Sequence, residues 1–192
     1  IKTPYLNCEN KVIVLQEVYL AFLWAVTYFF LVVQEEGLQK QIKQNYFAGN
    51  ILFNTPVLIG ALKLFKWALT LPKSYSAWDS NLPNPENPNN AEEAYYAPKV
   101  NGIFIDAVNY VIFHEYSHLL NRHCETIKEI KTRSSGCISD DERTLLIEME
   151  KEADLLAKEA IVKSGDSERD KLHKGLAIVI CQCANLFLVG NP

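Results

Sequence analysis

The sequence predicts a mainly α-helical domain with at most a small sheet, so that an α+β description fits only at its margin. Three observations lead there. Long stretches carry apolar residues at helical spacing, helix start and stop signals stand at Pro56, Ser139 and Gly165, and two polar motifs fall on apolar helix faces that call for each other. With 192 residues, 48% of them apolar, the chain can bury one real core. It reads as a single unit over residues 1–192: a helical part over 1–77, an Asn/Pro-rich loop over 78–93 and a core over 94–192. The formal net charge is −4 without a basic run, which argues against nucleic acid as a partner.

The chain starts at Ile1 rather than Met, leaving room for an N-terminal part that was removed. Glu9, Lys11 and Glu17 interrupt any signal-peptide pattern. Val18 to Val33 is a run of sixteen uncharged residues, short of the ~20 a membrane span needs. A buried core helix is the expectation there, with contact to a membrane as the alternative. Pro56 starts an amphipathic helix reaching residue 71. Pro83, Pro85 and Pro88 forbid regular structure in the loop that follows. Ala94 to Pro98, with Tyr95 and Tyr96, fits a short edge strand. A long helix is expected from Gly102 to Arg122, then a loop from Glu125 to Ser139. Ser139 and Glu142 form a capping box for the next helix, which stops at Ser164–Gly165. A last helix starts near Ser167 and turns apolar from Leu176 to Val189.

The chemistry sits in His114-Glu115-Tyr116-Ser117-His118. On a helix, residues four apart lie about 40° apart on one face, so two imidazoles can share a metal ion. Glu115 lies at the edge of that face, placed to serve a metal-bound water as general base. Ile103, Phe104, Ile105, Val108, Val111, Ile112 and Phe113 make the helix apolar almost all round. Polar groups on such a helix need partners or a metal.

Catalytic zinc takes three protein ligands and a water. The helical wheel puts Glu148, Lys151, Glu152 and Glu159 on the polar half of the next long helix. Glu150 and Asp154 fall on the other half with Leu146, Ala153, Ala157 and Ile161. Glu150 is the expected third ligand, and the two alanines let the helices approach. Asp154 is expected to orient His114 by accepting its other ring N–H. Cys124 is a rival ligand if the motif is extended in the metzincin manner, with Asn121 taking the left-handed conformation of a glycine. His123 falls opposite His114 on the same wheel and is expected to serve the end of its own helix. His173, Tyr95 and Tyr96 are candidates to stabilise an oxyanion. Cysteines 8, 124, 137, 181 and 183 match no disulfide framework. They read as free thiols in a reducing compartment.

Residues 95–162, carrying the His114–His118 motif and Glu150-Lys151-Glu152-Ala153-Asp154-Leu155-Leu156-Ala157, resemble the small bacterial zinc gluzincins. The closest resemblance is to the Lit-type phage-exclusion peptidases, followed by the ImmA/IrrE-like peptidases. The resemblance implies a gluzincin core, one zinc ion per chain, and a selective cytoplasmic endopeptidase, peripheral to the inner membrane in one variant. It implies a protein substrate: elongation factor Tu on the first likeness, a repressor on the second. Ser117 stands where that family often has Gly, and Tyr116 where it often has a smaller residue. Neither position is a ligand. The alternatives from other classes are a non-catalytic, metal-stabilised interaction or sensor domain and a membrane-associated protein.

Overall fold

The computed structural model describes residues 3–45, 47–133 and 138–189. It opens on an antiparallel hairpin, β1 (Tyr5–Asn7) and β2 (Val12–Val14), with Leu6 opposite Ile13. Lys11 takes a left-handed φ of 54° at the end of its turn. This hairpin is the sheet of the described residues. The edge strand expected at Ala94–Pro98 is helical instead.

Helix α1 (Glu17–Val32) continues through a π-helical stretch, Val33–Gln39, into the short α2 (Lys40–Lys43). The whole stretch, Glu17–Lys43, is long and apolar enough to cross a membrane by length and composition. Tyr19, Phe22, Leu23 and Val26 are fully buried where this helix packs on α3 (Pro56–Ala68), α4 (Ala91–Leu120) and α7 (Glu168–Val189). The run is the core helix of the domain. Thr55 caps α3 and Pro56 occupies its first turn.

Helix α4 runs from Ala91 to Leu120, starting eleven residues before the expected Gly102. The reason is its cap. The Asn90 side chain accepts from Glu93 N–H, and the Glu93 carboxylate accepts from Asn89 N–H and the Asn90 side chain. This reciprocal arrangement starts the helix early, although Pro98 stands inside it. Not all of α4 is buried: Ile105, Phe113, Tyr116 and Leu120 face outwards, so an apolar sequence overstated its burial.

Beyond α4 the chain reverses at Arg122, whose φ is 55°, and enters α5 (His123–Arg133). That helix occupies much of the expected 125–139 loop. Helix α6 (Asp140–Ile161) has the expected capping box at Ser139 and Glu142, and α7 spans Glu168–Val189. Ala153 and Ala157 are fully buried where α6 lies along α4, the close approach that small side chains permit.

Candidate metal centre

The packing of α4 on α6 brings His114, His118 and Glu150 together. Their ligand atoms all lie within 4.8 Å of one another. His114 Nε2 is 3.2 Å from His118 Nε2 and 3.2 Å from Glu150 Oε2, and His118 Nε2 is 3.7 Å from Glu150 Oε1. A tetrahedral ion with bonds of ~2.05 Å separates its ligands by ~3.3 Å. The triangle therefore has the size of a metal site, and its N, N, O donor set suits zinc. Glu150 is less enclosed than the wheel implied. Its side chain is 61% exposed, so it closes the rim of the site rather than its floor.

The other ring nitrogens are held from behind. His114 Nδ1 is 2.9 Å from Asp154 Oδ1, which also accepts from the Tyr110 hydroxyl at 2.6 Å. Gln182 donates in turn to the Tyr110 oxygen. No motif singles out Tyr110 in sequence, and only the tertiary fold reveals its contact. Since a carboxylate only accepts, Asp154 keeps the proton of neutral His114 on Nδ1 and leaves Nε2 bare.

Three acceptors converging on one point repel unless a cation or a proton intervenes. Burial works to lower the His114 imidazole, but the hydrogen bond to Glu150 and the charges of Glu115, Glu150 and Asp154 carry it above its ordinary value. The hydrogen bonds with His114 and His118 hold Glu150 well below the usual carboxylate range. Both directions report an environment that favours positive charge. Glu115 behaves differently. Burial pushes its carboxyl upwards, against the pull of His114, His118 and the Leu6 N–H.

A cavity of about 660 Å³ opens over the cluster. Leu6, Tyr110, Glu115, Ile127, Gln182 and Leu186 are among the residues that line it. Strand β1 borders it, with Leu6 N–H donating to Glu115 Oε2 at 2.7 Å. No sequence signal pointed to this backbone contact across 109 positions.

The family model described as Peptidase U49 matches residues 13–191. The chain belongs to the Peptidase U49 family. It is a peptidase, in the family to which the Lit-type peptidases also belong. Comparison with curated proteins and with solved structures finds no match. The match takes in most of the N-terminal half, which the sequence resemblance over 95–162 left unplaced.

In this U49 peptidase the proposed oxyanion candidates do not reach the cluster. Tyr96 lies eighteen residues before His114 on the same helix, about 27 Å along the axis at ~1.5 Å per residue. Its hydroxyl donates to Glu36, and Lys99 donates to the Tyr95 oxygen. His173 pairs with Asp106 at 3.0 Å, two turns of α4 below His114. None of the three lines the cavity.

Cys124 is not a ligand here, because it forms a disulfide with Cys8 at a Cα separation of 5.5 Å. The free-thiol reading holds for Cys181 and Cys183 and fails for this pair, while Cys137 lies outside the described residues. Asn121 has a φ of −89°; the left-handed residue is Arg122. That reversal breaks the wheel on which His123 was placed. His123 does not serve the end of α4. It is buried with Nδ1 2.9 Å from His118 Nδ1, and its Nε2 is 3.2 Å from Glu152 Oε2.

Proposed function

We propose that the chain is a zinc-dependent endopeptidase, with His114, His118 and Glu150 holding one zinc ion and Glu115 as general base. The observation that carries the reading is the convergence of two Nε2 atoms and one carboxylate at ligand spacing, with Glu115 adjacent but outside the triangle. A zinc ion held there would supply a Lewis acid and lower the pKa of its water towards ~7. Glu115 takes the proton of the attacking water and returns it to the departing amine. Its raised carboxyl pKa suits that exchange. Asp154 and Tyr110 hold His114 in the ligating tautomer. The open rim at Glu150 and the border of β1 leave the cavity accessible to a peptide segment.

The substrate class is a specific bacterial protein. Elongation factor Tu and a repressor enter only through the resemblance to Lit-type and ImmA/IrrE-like peptidases. A cytoplasmic setting rests on that resemblance alone, since the Cys8–Cys124 pair removes the support expected from free thiols. The second reading, a non-catalytic metal-stabilised domain, draws on the Leu6 N–H bond, which gives Glu115 a structural partner. The Glu115→Gln variant separates the two. On any protein substrate found by proteomic comparison, it should keep zinc and fold while losing ~10²–10⁴-fold in turnover. Cleavage by Glu115→Gln at the wild-type rate removes Glu115 from the mechanism.

A further inference from the structure

Behind His118 the structure places a second polar chain that matches the one behind His114 in logic but not in residues. His118 Nδ1 meets His123 Nδ1 at 2.9 Å, and His123 Nε2 meets Glu152 Oε2 at 3.2 Å. His123 is 4% exposed, so its ring nitrogens depend on these partners. The Glu152 carboxylate is an acceptor only, which assigns a proton to His123 Nε2. In the neutral ring His123 Nδ1 is then bare and must accept, and the donor is His118 Nδ1–H. His118 in its neutral form is left with its lone pair on Nε2, the atom that faces His114 and Glu150.

We propose that His123 and Glu152 are positioning residues that fix the tautomer and ring orientation of His118, so that its Nε2 lone pair is presented to the metal. The inference rests on the zinc reading above and deepens it. It explains why α5 folds back directly after α4: the left-handed turn at Arg122 returns His123 against the ring five residues earlier. It also gives Glu152 a function that its place on the polar half of α6 concealed. Both ligating imidazoles are thereby oriented from α6, His114 directly by Asp154 and His118 through His123 by Glu152.

The test is zinc affinity, measured by chelator competition on the full chain, with zinc-free thermal unfolding as the check on folding. His123→Leu should weaken zinc binding by ~10–100-fold, the usual cost of removing a ligand's hydrogen-bond partner. Glu152→Ala should weaken it towards the low end of that range. His123→Gln should recover most of the loss, because its amide oxygen can accept from His118 and its amide N–H can donate to Glu152. If His123→Leu does not fold, Glu152→Ala decides, since that side chain is 55% exposed and its removal leaves the core intact. Wild-type zinc affinity in folded His123→Leu or in Glu152→Ala overturns the relay alone. A wild-type chain that takes up no zinc overturns the metal reading, and the relay with it.

Discussion

The two ends of helix α4 handle partly buried polar groups in opposite ways. Near its start, donors and acceptors are matched: the Tyr96 hydroxyl donates to Glu36 at 3.0 Å and Lys99 Nζ donates to Glu35 at 2.9 Å. These contacts fasten α4 to the π-helical stretch after α1. Near its end, acceptors face acceptors, with His114 Nε2, His118 Nε2 and Glu150 converging at 3.2–3.7 Å. A polar cluster that satisfies itself is part of the architecture. A cluster whose lone pairs point at one another is suited to hold a cation.

This contrast makes the largest predicted effect specific to one end. Glu150→Ala should weaken zinc binding by more than the ~100-fold at the top of the range for losing a ligand's partner, whereas Cys124→Ser should leave zinc in place. Competition against a chelator measures both. Loss of zinc in Cys124→Ser with retention in Glu150→Ala would reverse the ligand assignment.

The smallest predicted effect belongs to the matched end. Tyr96→Phe removes one hydroxyl donor, and Glu36 keeps its contact with Lys40. Denaturant unfolding should show a loss of ~1 kcal/mol, with zinc affinity unchanged. A shift in zinc affinity in Tyr96→Phe would show that the two ends of α4 are coupled, contrary to their separation of ~27 Å.

Legibility in the sequence followed the same division. His114, Glu115 and His118 could be read together because helical periodicity fixes their relative directions. Glu150 and Asp154 could be read because α6 is an uninterrupted helix with a clear cap, so its wheel is reliable. The wheel that puts His123 opposite His114 holds only while the helix does, and α4 stops at Leu120, before the left-handed Arg122. Glu152 falls on the polar half of α6, where its wheel gives no sign of a buried partner such as His123. Tyr95 and Tyr96 fit a short edge strand in sequence, and the Asn90–Glu93 cap that makes them helical lies inside an Asn-rich run. The Cys8–Cys124 pairing spans 116 positions, and the contact of Leu6 N–H with Glu115 involves only backbone on one side. Neither leaves a local pattern to read.

Whether the His114–His118–Glu150 triangle holds zinc can be read from metal content. Protein purified without chelator and examined by elemental mass spectrometry should hold about one zinc per chain. His114→Ala and His118→Ala, prepared alongside and shown to be folded, should hold essentially none. A folded wild-type chain that carries no zinc and takes up none when it is added at neutral pH would rule out a zinc site at this triangle.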